Sequence, residues 1–166
     1  MKSMKKLCPQ FHLSLQSGCD ATLKRMNRRY TAKEYEEAVY KIRKNLKDAS
    51  ITTDVIVGFP GETDEEFNLT YEYLKNLKLT KTHIFKFSPR KGTKAATMDN
   101  QIDGTIKEKR SKALIDLNEK NEGNFSRSLV GRDMDVLVEQ EVSKKPGVFE
   151  GYTRNYVKVR SEEHTS

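Results

Sequence analysis

Polar residues at three places in the chain fall at or near the ends of apolar, strand-like runs, and together they could form one binding edge. Gln16 follows Phe11-His12-Leu13-Ser14-Leu15. Asp54 interrupts the β-branched run Ile51-Thr52-Thr53-Asp54-Val55-Ile56-Val57. Ser88 and Arg90 follow Thr82-His83-Ile84-Phe85-Lys86-Phe87. An amide and a carboxylate at strand ends can accept from sugar hydroxyls. An acid inside a buried strand needs a partner or a task, and the plainest reading of Asp54 is a satisfied structural one. The segment Lys24-Arg25-Met26-Asn27-Arg28-Arg29 brings cations to the same rim, suited to a carboxylate or a phosphate. No nucleophile–base pair, histidine-rich metal site or Walker loop accompanies them, so the pattern is a binding half-site with no visible reaction. His12 alternates with core residues, as a structurally satisfied histidine does, and His83 can be read either way.

The elements that must position these groups follow from periodicity. Residues 11–16 alternate apolar and polar, the period of a strand. Residues 51–57 read as a buried parallel strand covered on both faces, and 82–87 as a third. Asp20 caps a short helix reaching about Met26. Thr31 with Glu34, and Thr63 with Glu66, form capping boxes for two longer helices. Their buried stripes are Tyr35, Ala38, Val39, Ile42 and Leu46, then Phe67, Thr70, Tyr71, Leu74 and Leu77. Between Val57 and Thr63, Gly58, Pro60 and Gly61 supply turn chemistry. The order β-α-β-α-β with long connections predicts right-handed parallel crossovers, in a barrel or an open sheet. The C-terminal strand ends then face one cleft.

Downstream the pattern changes. Residues 86–112 hold eight Lys or Arg against three Asp or Glu. A polar helix is expected from about Thr105 to Leu129, with Ile106, Ala113, Leu114 and Leu117 as a thin apolar stripe. Residues 134–139 and 152–159 read as two strands of a second, all-β unit, and two strands cannot bury a core. Residues 129–159 carry five cations and five anions, a balance that does not favour a strong nucleic-acid surface there.

Composition bounds the function classes. The 166 residues make one domain, or one and part of another. The net charge of +7 suggests an anionic partner, nucleic acid being the commonest. No run of apolar residues is long enough to span a membrane, and the basic N-terminus lacks the apolar stretch of a signal peptide. Cys8 and Cys19 form neither a disulfide framework nor a metal quartet, which suits a cytoplasmic protein with incidental thiols. Arg160-Ser161-Glu162-Glu163-His164-Thr165-Ser166 resembles a translated sequencing adapter, so residues 160–166 are expected to be non-native and the chain an internal fragment.

Several motifs occur together in one known family. Leu15-Gln16-Ser17-Gly18, Leu23 to Thr31, Thr53-Asp54-Val55-Ile56-Val57-Gly58-Phe59-Pro60-Gly61-Glu62-Thr63 and Phe87-Ser88-Pro89-Arg90-Lys91-Gly92-Thr93 resemble, in order and spacing, the radical S-adenosylmethionine methylthiotransferases. The likeness covers roughly residues 8 to 159. It implies the C-terminal half of a partial (β/α)6 barrel over residues 1–98 and a connecting helix over 99–128. The start of an RNA-binding TRAM domain would fill 129–159. Ser14 to Asp20 and His83 look most like the branch that methylthiolates C2 of N6-threonylcarbamoyladenosine at position 37 of tRNA. The isopentenyladenosine branch, an alternative, usually shows Val-Gln-Ser-Gly-Ser at the first of these sites, and the ribosomal-protein branch, a further alternative, differs more.

The resemblance further implies S-adenosyl-L-methionine and two 4Fe-4S clusters in the full-length parent, with tRNA and an electron donor as partners and no membrane. Gln16 and Asp54 would hold the cofactor's ribose hydroxyls, and Arg28 its methionine carboxylate, an ion pair that suits a planar guanidinium. The turn containing Gly58 and Pro60 would shape the pocket. Arg90, Lys91, Arg154 and Lys158 would approach RNA. The cysteine triads that hold the family's clusters are absent from this sequence, so no catalytic residue and no metal ligand is assigned. Two rivals stay open: a non-catalytic RNA-binding protein on the same scaffold, and an unrelated α/β barrel that binds a nucleotide at the same strand ends.

Overall fold

The β-branched run around Asp54 forms the centre of a parallel sheet in a computed structural model, which describes residues 7–161. Strand β1 (Gln10–His12) pairs with β2 (Ser50–Val57), and β2 with β3 (Lys81–Lys86), in the order β1-β2-β3. The connections carry α1 (Asp20–Arg25) and α2 (Ala32–Asn45), then α3 (Asp64–Leu77). Both expected capping boxes form, Thr31 with Glu34 and Thr63 with Glu66. Asp20 caps differently from expectation. The residue preceding α1 is Cys19, without a side-chain cap, and Asp20 Oδ1 instead accepts from the Ala32 N–H at 2.7 Å, at the start of α2.

Burial along β2 alternates rather than running on both faces as the sequence predicts. Ile51, Thr53, Val55 and Val57 are buried, whereas Thr52, Asp54 and Ile56 are only partly covered. The covered face packs on Tyr35 and Val39 of α2 and on Leu74 and Leu77 of α3, with Leu15, Leu79, Leu114 and Leu117 completing one core. A fully buried side chain of this size contributes about 1.5–3 kcal/mol, so this face carries the fold. The opposite face, with Thr52, Asp54 and Ile56, is only partly covered.

The strand expected over residues 11–16 is shorter. After His12 the Leu13 carbonyl accepts from the Tyr35 and Thr53 hydroxyls, and the Ser14 and Leu15 carbonyls both accept from the Tyr30 hydroxyl, instead of from backbone N–H groups of a neighbouring strand. The Leu15 N–H donates to Thr53 Oγ1. The chain rejoins the sheet at a single bridge, Gln16 to Val55, with Gln16 in the left-handed region at φ 72°.

Helix α4 (Gly104–Ser128) packs along β3, where Asn118 Oδ1 accepts from the Thr82 N–H at 2.6 Å. Its buried residues are Arg110, Ser111, Leu114 and Leu117, while Ile106, expected on the apolar stripe, is exposed. Beyond it lies an antiparallel sheet of three strands: β4 (Val136–Glu141), β5 (Phe149–Thr153) and β6 (Lys158–Ser161). The single strand expected over 152–159 is therefore two. Thr153 bridges to Val157 through backbone and hydroxyl, Tyr156 takes φ 61°, and the buried Asn155 turns the chain between them. Gly151 has no room for a side chain, because a Cβ there would lie 2.1 Å from the Leu137 carbonyl oxygen of β4. Arg160 and Ser161 of the expected non-native tail belong to β6. The N-terminal residues 1–6 and the remainder of that tail, 162–166, lie outside the described residues. No helix among the described residues is long and apolar enough to cross a membrane.

Candidate cofactor and RNA site

The C-terminal ends of the parallel strands open into a cleft of about 400 Å3 lined by Gln16, Asp54, Ile56, Phe85, Phe87, Ser88 and Arg90, among others. The apolar floor comes from the uncovered face of β2 and β3, and the polar groups stand at its rim. This is the composition of a small-ligand site: apolar surface for a flat ring and a few placed polar groups. Gln16 is nearly buried, held there by the backbone bonds Gln16 N–H to Asp54 O and Ile56 N–H to Gln16 O.

Asp54 has a partner, though not one of those the sequence suggested. His12 Nε2 lies 3.2 Å from Asp54 Oδ2, and the Ser14 hydroxyl lies 3.4 Å from the same oxygen. The structure thus brings Gln16, Asp54 and Arg90 together in one cleft but not Arg28. That arginine follows α1, is exposed and is not among the residues lining the cleft. Its neighbour Arg25, one of the cations expected at the rim, is instead structural, forming two bonds to the Glu66 carboxylate.

The glycine-proline turn is built more firmly than turn chemistry alone requires. Gly58 and Gly61 adopt φ 71° and 75°, and a Cβ on Gly58 would meet the Lys107 side chain at 2.3 Å. The Gly58 N–H donates to Glu62 Oε1 at 2.9 Å, and Glu62 is buried. Arg110 of α4, also buried, donates to that carboxylate at 2.7 Å and to the Glu62 carbonyl at 3.1 Å. It also donates to Asp64 Oδ1 at 2.8 Å. Burial pushes the Glu62 carboxyl above its ordinary range, while the Gly58 N–H and Arg110 pull it back. Pro60 sits buried at the tip, and Phe59 packs edge-on against Phe87 at 5.2 Å. Sequence reasoning missed Arg110, because a cation on a polar helix reads as solvated; its one signal was its place on the same helical face as Leu114 and Leu117.

The cations assigned to RNA fall into two separate places. Arg90 lines the cleft and Lys91 is exposed beside it. Arg154 and Lys158 belong to the antiparallel sheet, which meets the other end of β2 through Asn155 Nδ2 and the Asp48 carbonyl at 2.9 Å. Eight strand residues at about 3.3 Å each put the two ends of β2 roughly 25 Å apart. Lys158 is moreover ion-paired with Glu150 at 2.9 Å. Bonds from Gln140 and then Lys158 hold that carboxyl down at about 2, so it stays charged at any working pH.

Sequence comparison joins these observations to known proteins. The Radical SAM superfamily profile matches residues 1–74. The chain is 41% identical over 153 residues to the threonylcarbamoyladenosine tRNA methylthiotransferase MtaB of Thermotoga maritima, covering 92% of this chain and 35% of that protein. It is 38% identical to the tRNA-2-methylthio-N(6)-dimethylallyladenosine synthase of Caldicellulosiruptor saccharolyticus, covering 93% and 32%. It is 37% identical to MtaB of Bacillus subtilis, covering 93% and 35%. The chain thus spans about a third of the length of the curated relatives it matches. With a Radical SAM superfamily match over residues 1–74 and methylthiotransferase relatives along nearly the whole chain, this chain is similar to a part of the radical S-adenosylmethionine methylthiotransferases.

Proposed function

We propose that this chain is part of a cytoplasmic enzyme that methylthiolates C2 of N6-threonylcarbamoyladenosine at position 37 of tRNA. In this reading residues 1–98 are the C-terminal part of a partial (β/α)6 barrel and 99–128 a connecting helix. Residues 129–159 begin a TRAM domain, and 160–166 are not native. The observation that carries the reading is the cleft at the strand ends, where Gln16, Asp54 and Arg90 stand around the apolar floor of Ile56, Phe85 and Phe87.

That donor set suits S-adenosyl-L-methionine or a nucleoside: acceptors for ribose hydroxyls beside surface for a base. When bound with its cluster, the cofactor supplies a carbon radical for hydrogen abstraction and, in a second molecule, the methyl group. The chain's own residues hold and orient. Asp54 and Gln16 accept ribose hydroxyls, and Arg28, which is not among the residues lining this cleft, pairs with the methionine carboxylate of a ligand that extends beyond it. Gly58 and Pro60 let backbone approach the ligand, and Arg90, Lys91, Arg154 and Lys158 meet RNA phosphates. Two cysteines cannot supply the ligands of two 4Fe-4S clusters, so this chain contributes the cofactor- and RNA-facing side of the site. An electron donor completes the partners.

A second reading, methylthiolation of an isopentenyl-type adenosine, is favoured by the 38% identity to a dimethylallyladenosine synthase. The two separate by mass spectrometry of nucleosides from tRNA modified by the intact parent, reconstituted with iron and sulfide. The methylthio derivative of threonylcarbamoyladenosine is expected; that of the isopentenyl nucleoside would select the second reading. In the same parent, Asp54→Asn and Arg28→Ala should each weaken S-adenosylmethionine binding by about 1–3 kcal/mol. Unchanged affinity in both would remove the site assignment.

A further inference from the structure

The face of the parallel sheet left uncovered by α2 and α3 carries two of the chain's three histidines next to its one strand carboxylate. His12 ends β1, Asp54 lies in β2, and His83 of β3 is the register partner of Asp54. A metal-ligating atom from each lies within 4.8 Å of the others. These residues are 42 and 29 positions apart in sequence, too far for a spacing motif to reveal them, and parallel pairing alone assembles them.

The detailed geometry is that of a ligand set. His12 Nε2 and Asp54 Oδ2 stand 3.2 Å apart. Two ligands about 2.0–2.1 Å from a tetrahedral zinc ion are separated by roughly 3.4 Å. The Ser14 hydroxyl lies 3.2 Å from His12 Nε2 and 3.4 Å from Asp54 Oδ2, near enough to act as, or to hydrogen-bond, a fourth ligand. On the far side of the ring, His12 Nδ1 meets Thr52 Oγ1 at 2.9 Å. That is the outer bond that fixes ring orientation and tautomer in histidines bound to metals. With Nδ1 donating to Thr52, Nε2 and the carboxylate face each other as two acceptors, and a cation between them relieves the repulsion. His83 closes the third side, its ring 6.2 Å from that of His12. Both contacts to Asp54 fall on Oδ2, so a cation there leaves Oδ1 for the cleft.

We propose that His12, Asp54 and His83 form a site for a divalent transition-metal ion of the zinc class, with Ser14 or water completing the shell. Two imidazoles and a carboxylate favour zinc, cobalt or nickel over magnesium and calcium, which prefer all-oxygen shells. The inference does not depend on the reaction of the parent enzyme.

The test is a Co2+ titration of the full 166-residue chain, without a histidine tag, followed by visible absorption, with Zn2+ as competitor. One equivalent of Co2+ is expected to bind with d–d bands that Zn2+ abolishes. His83→Ala and Asp54→Asn, checked for folding by circular dichroism, should each weaken binding at least tenfold. Thr52→Val should weaken it roughly 10–100-fold through the outer bond. His164→Ala should leave it unchanged. Should a variant fail to fold, NMR of the unmutated chain decides: Zn2+ must move the imidazole resonances of His12 and His83 and not those of His164. No saturable binding, binding that survives His83→Ala and Asp54→Asn, or shifts confined to His164 would overturn the site. Titration of His12 by protons alone, with no response to metal, would assign the gap to an imidazolium–carboxylate pair instead.

Discussion

Glu66 serves two elements at once. Its carboxylate accepts from the Thr63 N–H to close the capping box of α3, and it receives both terminal nitrogens of Arg25 from α1. The Arg25 bonds, against a smaller opposing effect of burial, hold the Glu66 carboxyl below its ordinary 4.5, and the same contact raises Arg25. A carboxyl depressed in the folded state stabilises it fully above pH 4.5. That contribution is lost as pH falls through the depressed folded value. Glu66→Gln should therefore cost about 1–3 kcal/mol at pH 7, the scale of charge-assisted hydrogen bonds. The gap to the unmutated chain should shrink below pH 4 or so. Urea unfolding of both forms across this range checks it; a gap independent of pH would mean that capping alone, and not the ion pair, is at stake. The same scale explains why Asp54 was legible as odd but not as paired. Its partners His12 and Ser14 lie some forty residues away in sequence, and only the strand register brings them near.

Much of the parallel half could be read from the sequence, because its elements announce themselves locally. Thr-x-x-Glu caps, β-branched runs and a glycine-proline turn each fix one element with little help from the rest. What could not be read arises where tertiary bonds overrule the local pattern. Residues 13–15 alternate like a strand, yet tyrosine and threonine hydroxyls from elsewhere take their carbonyls. Residues 152–159 alternate too, but Asn155 finds partners across a turn. The composition of α4 suggests a solvated helix, and its role is set by one inward cation. Arg110 fastens α4 to the turn after β2 through a buried ion pair with Glu62, which in turn holds the Gly58 N–H. Removing one partner of a buried pair costs about 3–5 kcal/mol, because the other charge stays buried without compensation. Arg110→Ala should show that loss in chemical denaturation, and the double variant Arg110→Ala with Glu62→Ala should recover part of it. If the double variant is as unstable as the sum of the two single ones, the two side chains act independently and α4 is held by its leucines alone.

At the scale of the molecule, the two sheets meet through a small polar joint at the end of β2 away from the cleft. Asn155 is almost wholly buried, donates to the Asp48 carbonyl at 2.9 Å, and accepts from the Thr153 hydroxyl at 2.5 Å. The Arg132–Asp48 ion pair beside it is half exposed and contributes at most about 1 kcal/mol. The antiparallel sheet offers little apolar surface to hold it in place, since β4 is exposed along its length. Position and attachment of that sheet therefore rest heavily on one amide. Asn155→Ala would take the Asn155 donor from the Asp48 carbonyl and the Asn155 acceptor from the Thr153 hydroxyl, a loss of about 1–3 kcal/mol when such groups stay buried. The loss should be regional, because neither Asn155 nor Asp48 belongs to the leucine-rich core behind β2. Hydrogen exchange by mass spectrometry can separate the two regions. Amides of residues 149–161 are expected to exchange faster in Asn155→Ala, while those of 51–57 keep their protection. Equal loss of protection in both would show that the two sheets unfold as one unit, and that the joint stabilises the whole chain instead of docking one sheet on the other.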